Sequence, residues 1–490
     1  MKKILSLLLL CALLLSLCAC SDPVIGGENT EQPISADPAE APEAVIELKG
    51  DSVSAPGRGV SVKGCVVTIG APGSYTVRGT LNDGRILVDL KENPGKVTLF
   101  LDGADITCLT DSAICLIDAK ELNLVLADGS VNRVVSGTEA ALGSYDDSSR
   151  GAAIFAEDDL DIQGGGSLTV LGYLNNGITC KDDLKIKGGS LEVTAVHNGI
   201  RASESVTVSG GEVRVDAGND GLKASSAKKA GKGFVQIEGG TLSVRSMGDG
   251  VSAETELRIS GGSLSVETVG DPAAQSCKGL KGRTGVLISG GELDVRAEDH
   301  AIRSGAALTV SGGTVAARSR QGKGLSAETE LRVEAGTLQV KSADDGLASA
   351  DTVRILGGET EIVSGADGIQ GGKKSTGFTA EVGTVSIEGG QILIAAFNKP
   401  LDAKARLLFS GGSLLACGSG TPKPESEIPW LFFTAQGRSG DSLTLSANEL
   451  LTLEAAYSYS SVCCFDPVLS EGQRYELKAG SETLQATASR

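Results

Sequence analysis

From Asn175 to Gly412 one phrase returns ten times: a glycine followed by an aliphatic residue, then about twelve residues later a Gly-Gly pair. Asn176-Gly177-Ile178 leads to Gly188-Gly189, Asn198-Gly199-Ile200 to Gly210-Gly211, and Asp220-Gly221-Leu222 to Gly239-Gly240. Counted from Gly166 to Gly412, the second glycines are 22 or 23 residues apart, with three longer steps of 29 to 32. A period of this length constrains the chain strongly, because each unit must stack on a copy of itself, as in a solenoid. Inside the units apolar and polar residues alternate, as in Glu212-Val213-Arg214-Val215 and Leu264-Ser265-Val266. That is the two-residue period of a strand. Helical stripes and helix caps are absent, and so is the LxxLxLxxN pattern of leucine-rich repeats. A 22-residue unit fits three short strands and three tight turns. The expected fold is therefore all-β: a right-handed parallel β-helix whose coils stack about 4.8 Å apart.

The ends depart from the phrase. Lys2 and Lys3 precede an apolar run, Ile4 to Leu17, that closes in Leu17-Cys18-Ala19-Cys20. This reads as a signal peptide over 1–19, and its end resembles a lipobox, in which Cys20 becomes the first, lipidated residue. Residues 20–44, rich in Pro, Ala, Glu and Asp, read as a disordered tether. Residues 45–150 keep strand alternation without the phrase and read as irregular N-terminal coils and cap, with a loop from Gly143 to Arg150. The regular β-helix is expected over 151–415. Over 416–490 the repeat is gone, and Trp430, Phe432, Phe433, Tyr457, Tyr459, Phe465 and Tyr475 crowd together. They read as the core of a small C-terminal β cap, since a solenoid must cover its terminal edge. Three coils carry insertions, at Ser225 to Lys232, Thr268 to Ser276 and Gly371 to Glu381; the first two, on neighbouring coils, are candidates to wall a groove.

A formal charge of -18 makes nucleic acid an improbable partner. With aromatic residues at 3% and Trp430 the sole tryptophan, a row of rings for stacking neutral sugars is hard to build. Eight cysteines remain after Cys20, without zinc spacing; they read as buried thiols, with pairing of Cys108 to Cys115, or of Cys463 to a distant partner, left open.

In a β-helix, equal positions of successive coils stack into columns. The position before the corner glycine holds Asn176, Asn198, Asp220, Asp249, Lys278, His300, Lys323, Asp345, Asp367 and Lys399. Its acids, with neighbours, form two clusters: Asn219, Asp220 and Asp249, and Asp344, Asp345 and Asp367. Stacked carboxylates repel unless a cation or base intervenes, and oxygen-only ligands suit calcium. The competing reading is that each corner residue only satisfies its own backbone. A third acidic group comprises Asp158, Asp182 and Glu204. Two residues past the corner glycine stand Arg201, Lys223, Lys281 and Arg303, a broken basic row. Such a row suits uronate carboxylates, or pairs with the Asp column beside it. His197 and His300 lie coils apart, and no Ser-His-Asp set or phosphate loop is present.

Val97-Thr-Leu-Phe-Leu-Asp-Gly-Ala-Asp-Ile106, Asp182-Asp-Leu-Lys-Ile-Lys-Gly-Gly189, Gly218-Asn-Asp-Gly-Leu-Lys-Ala224 and Gly233-Phe-Val-Gln-Ile-Glu-Gly-Gly240 carry a resemblance. The chain resembles the clostridial family of carbohydrate-binding lipoproteins, parallel β-helices similar in fold to pectate lyases, over most of Val45 to Gly480. The resemblance implies an extracytoplasmic, lipid-anchored protein that binds plant-type or cell-wall polysaccharides, cellulosic or acidic, with bound calcium. Members typically read Asp-Asp-Gly-Ile at many corners; here Asn175-Asn176, His197-Asn198, Cys277-Lys278, Gly322-Lys323 and Asn398-Lys399 depart from it. Arg201, Lys223, Lys281 and Arg303 are the expected sugar contacts. Asn219, Asp220, Asp249, Asp344, Asp345, Asp367 and Asp182 are the expected calcium ligands. Two alternatives stand beside this: a calcium-dependent lyase with Lys223 or Lys281 as its base, and a non-catalytic surface rod. A monomer is expected.

Overall fold

The computed structural model describes residues 43–91, 95–139, 151–226, 228–373 and 382–490. The expected leader, Cys20, nearly all of the tether, the loop at 143–150 and most of the insertion at 371–381 lie outside the described residues. Every regular element among the described residues is a strand.

Each regular coil lays down three strands. Ile178–Cys180, Asp183–Ile186 and Ser190–Ala195 pair in parallel with Ile200–Ala202, Ser205–Val208 and Glu212–Ala217 of the next coil. The pattern repeats from Ile154–Ala156 to Ser413–Gly418 and builds three parallel ladders: a short one of three-residue strands, a second, and a third of six-residue strands. The chain is a parallel β-helix, as the repeat predicts. Alternation decides what faces inward. Leu184, Val206, Val235 and Leu257 stack in the second ladder, and Val193, Val215, Val244 and Val266 in the third, all buried. At the second glycine of each pair the turn needs a left-handed residue: Gly211 has φ of 86°, and a Cβ there would lie 2.7 Å from Gly189 O.

The residues before the regular repeat are coiled too. Val66–Ile69, Arg85–Asp89 and Ile114–Asp118 extend the short ladder. Lys96–Cys108, 13 residues long, runs through both other ladders, pairing first with Glu121–Leu126 and then with Val131–Ser136. Val53–Ser54 and Val60–Lys63 fold back antiparallel on the first strands and cover their edges.

At the other end, Tyr459–Phe465 pairs antiparallel with both Ser413–Gly418 and Trp430–Gly437, and a four-stranded antiparallel sheet follows. Phe465 lies 4.6 Å from Phe409, ring to ring, and closes the core of the stack. Phe433, Tyr459 and Tyr475 pack in a second core instead. Thus the crowded aromatics build a cap. That second core also takes in Ala395, Leu415 and Cys417, so the cap lies along the outer face of the last coils as well as across their end. Cys108, Cys180, Cys277, Cys417, Cys463 and Cys464 are free thiols and buried, Cys115 is buried, and Cys65 is a free thiol at an intermediate depth.

Candidate functional site

The middle residue of each short strand points away from the core, and parallel register stacks these residues in the order Arg201, Lys223, Ser252, Lys281, Arg303, Ser326. The basic row is therefore real, with one correction: Ser252 separates Lys223 from Lys281, so Arg201, Lys223 and Lys281 do not stand on three consecutive coils. Beside this column runs the corner column. Its side chains do not serve their own backbone, as an isolated Asx turn would, but the amide of the coil above. Asn176 Oδ1 accepts from Asn198 N–H at 3.0 Å, Asn198 Oδ1 from Asp220 N–H at 3.3 Å, Asp220 Oδ1 from Asp249 N–H at 2.8 Å, and Asp249 Oδ1 from Lys278 N–H at 2.9 Å. The relay starts again at Asp345, which accepts from Asp367 N–H at 3.1 Å, and Asp367 accepts from Lys399 N–H at 3.1 Å. These two runs are the two acidic clusters of the sequence.

At Asp220 and Asp249 the other carboxylate oxygen meets the basic row. Lys223 Nζ is 2.6 Å from Asp220 Oδ2, and Lys281 Nζ is 2.8 Å from Asp249 Oδ2. Lys323 bonds Asp345 and stands 3.9 Å from Asp344. Both aspartates at 220 and 249 are buried, while the Lys223 and Lys281 side chains keep 32% and 35% of their surface exposed. Arg303 bonds Ser326 Oγ at 2.7 Å and pairs with Glu328, which also takes Lys373 at 2.6 Å. Arg201 makes no ion pair among the described residues; its Nε lies 3.5 Å from Ser225 Oγ. Asn219 Nδ2 donates to Asn198 Oδ1 at 3.1 Å and lies 3.1 Å from His197 Nε2. Asp367 has no basic partner among the described residues; burial, and then the Asp402 and Asp345 carboxylates, push its carboxyl above the usual range.

This arrangement bears on calcium. Of the two oxygens at Asp220 and Asp249, one holds a backbone amide and the other an ammonium group. Among the described residues no three Asp, Glu, His or Cys side chains converge as metal ligands. A lysine thus stands where a cation was expected, so the donor set in this arrangement does not fit calcium at these corners. Asp182 is at a different place, on the edge between the short and second ladders. Burial and the neighbouring Glu204 raise its carboxyl above the usual range, and Lys229 stands 3.8 Å away.

The inserted loops flank the basic row from opposite sides, not one side. The first follows Leu222–Ala224, on the edge toward the second ladder; the other precedes Leu280–Gly282, on the edge toward the third. Lys232 Nζ ties the first loop to Asp183 at 2.6 Å and Glu204 at 3.3 Å, and Lys229 also bonds Glu204. Burial favours the neutral Glu204 acid, but these lysines outweigh it and hold the carboxyl below the usual range. In the other loop, Gln275 donates to Met247 O at 2.7 Å and Ser276 Oγ to Asp249 at 2.5 Å. The basic row thus runs between two inserted loops, one on each edge of the short ladder. Sequence reading missed the C-terminal end of the outward column, where Lys404 and Lys399 share Asp402. The signal there was weak, because Asp402 occupies the basic-row register with the opposite charge.

Stacked parallel coils with a charged, loop-walled outer face define a parallel β-helix built to present polar side chains at regular intervals. The chain belongs to the family of carbohydrate-binding domain-containing proteins, whose model matches residues 63–324 and 317–489. It is similar to a carbohydrate-binding domain-containing protein of Acetivibrio thermocellus, 37% identical over 171 residues, a match covering 35% of this chain and 59% of the relative. The chain thus spans less than two thirds of that relative's length. A solved polysaccharide lyase-like protein from C. thermocellum, a gadolinium derivative, is 36% identical, with a TM-score of 0.44 over 46% of this chain and 92% of the other.

Proposed function

We propose that this carbohydrate-binding protein holds an acidic polysaccharide along the basic row of the short ladder, as a monomer tethered outside the cell through Cys20. One observation carries the reading: in a chain of net charge -18, Arg201, Lys223, Lys281 and Arg303 line up on a single outward column between two inserted loops. Coils repeat at about 4.8 Å, so the neighbouring pairs Arg201 with Lys223 and Lys281 with Arg303 can each meet carboxylates spaced along one sugar chain. Arg201 is ready for such a contact, and the half-exposed lysines can exchange an aspartate for a sugar carboxylate, a charge-assisted bond in either state. The reading is built without calcium at the corners, and a titration with and without chelator tests that separately.

Catalysis is the second reading. Proton abstraction needs a free base facing the sugar, whereas Lys223 Nζ and Lys281 Nζ are each engaged by an aspartate. Binding is therefore better supported than cleavage. The test is affinity for polygalacturonate against a neutral glucan. Replacing Arg201, Lys223 and Lys281 together by alanine is expected to weaken polygalacturonate binding about tenfold, from a few exposed pairs of about 0.2 to 1 kcal/mol each, and added salt to weaken the native protein. Equal binding by the triple variant, or preference for the glucan, overturns the reading; unsaturated products from the native protein would establish a lyase, and no binding to any glycan a structural rod. For the tether, Cys20→Ser is expected to release the protein into the medium or leave its precursor uncleaved, as fractionation will show.

A further inference from the structure

The short ladder ends at Leu401–Ala403, which has no further strand beside it. Chain is nevertheless present where a twelfth short strand would lie. After Gly418 it passes Asn398, whose carbonyl accepts from Ser419 N–H at 2.6 Å, and rejoins the second ladder at Glu425–Ser426 beside Leu408–Phe409. Between these points stand Pro422 and Pro424, which have no amide hydrogen to continue a ladder. The segment therefore arches over the last strand and leaves a cleft of about 250 Å³, lined among others by Lys399, Leu401, Asp402, Thr421 and Lys423.

The cleft has two properties of a ligand site. Its floor is an open sheet edge, with backbone groups able to bond hydroxyls, and Thr421 and Ser419 add side-chain hydroxyls. Its charge is locally positive in an acidic protein. Lys399 Nζ, at 2.8 Å, and Lys404 both bond the buried Asp402, two cations on one carboxylate, while Lys423 is exposed and makes no ion pair among the described residues. Asp367, next to this group, is held toward its neutral form by burial and by Asp402 and Asp345. The volume falls below the roughly 300 Å³ at which sites for drug-sized ligands begin, so the cleft suits one sugar residue and not a length of chain. Position supplies the last point. Asp402 is in register with Gln370 at the end of the outward column, and the arching segment blocks continuation past it.

We propose that this cleft takes the terminal residue of an acidic glycan lying on the short ladder, its carboxylate meeting Lys423 and Lys399. The proposal rests on the basic-row reading above and adds to it: the protein recognises a chain end. The test measures binding of trigalacturonate, maltotriose and polygalacturonate to the full chain and to two surface variants, Lys423→Glu and the cleft-filling Ala405→Phe. Trigalacturonate is expected to bind the native protein in preference to maltotriose and to lose at least about tenfold in each variant, as for one charge-assisted hydrogen bond. Polygalacturonate, held at many points, is expected to change less than about twofold. If both variants bind trigalacturonate as well as the native protein does, the end site is overturned and the basic-row reading stands. If they lose trigalacturonate while the Arg201, Lys223 and Lys281 triple variant still binds polymer fully, the basic-row reading is overturned and the cleft stands as an independent site for an acidic sugar. Absence of binding by the native protein to both acidic ligands overturns both.

Discussion

Asp220 and Asp367 stand at the same place in their coils and meet different charges. Each gives one oxygen to the amide of the next coil, at 2.8 and 3.1 Å. Asparagine does the same at Asn176 and Asn198, so the amide relay itself needs an oxygen and not a charge. Lys223 justifies the charge at Asp220; no ion pair among the described residues does so at Asp367. Asp220→Asn is therefore expected to destabilise by about 1 kcal/mol, the value of a partly exposed charged pair, whereas Asp367→Asn is expected to stabilise at neutral pH. The sign follows from the raised carboxyl of Asp367. The folded state keeps that proton longer than the unfolded chain, so its contribution is most favourable below about pH 4 and is lost as pH rises through the folded value. Urea unfolding at pH 4 and pH 7 checks the pair: the advantage of Asp367→Asn should grow with pH. Equal effects of the two substitutions at pH 7 would mean that lysine pairing does not decide the need for an acid.

Within one coil, the glycine before the short strand and the second inward residue of the third strand share a single space. A Cβ at Gly199 would lie 2.2 Å from Val215 Cγ1, and one at Gly279 the same distance from Val295 Cγ1. Three coils place a larger residue at this corner, Ala153, Ala301 and Pro400; in the last two the third-strand residue shrinks to Ala317 and Ala416, while the first keeps Val170. In those last two coils the exchange keeps volume and not residue type, as close packing favours. Gly199→Ala alone is expected to cost about 1 to 3 kcal/mol by overpacking, and Val215→Ala alone about 2 kcal/mol through a cavity. The double variant should cost at least about 1 kcal/mol less than their sum, measured by denaturant unfolding. Strict additivity would show that the corner and the strand do not compete for space.

Over the whole stack, the cap has two jobs that a terminal plug alone would not do. Phe465 covers the end of the main core, while the small sheet covers Ala395, Leu415 and Cys417 on the outer face of the third ladder. Everywhere earlier on that face the outward residues are mostly polar, such as Glu192, Arg214 and Asp294. A chain ending at Gly418 would expose both surfaces at once, an apolar patch of the kind that drives association. It is expected to elute as aggregates in size-exclusion chromatography where the intact chain elutes as a single species. A truncated chain that stays monodisperse and melts as before would show that the last coil closes itself.

The architecture was legible because period and alternation are local. A 22-residue phrase with glycines at fixed offsets determines the coil, and the two-residue period determines which of Val213, Arg214 and Val215 face inward. The same stacking made the columns readable, so the basic row and both acidic runs were found in advance. Ion pairing was not, because it depends on where a side chain's far end goes. Spacing puts Lys223 and Asp220 on one coil but cannot say that their ends meet, nor that each aspartate also serves the amide of the next coil. The insertions show the same limit: their lengths are in the sequence, but the edge of the ladder on which each emerges follows from which strand precedes it. The cleft beside Leu401–Ala403 exists only because Pro422 and Pro424 keep a crossing segment from pairing, and a gap between a strand and a segment about twenty residues later is a property of the fold, with no residue of its own to announce it.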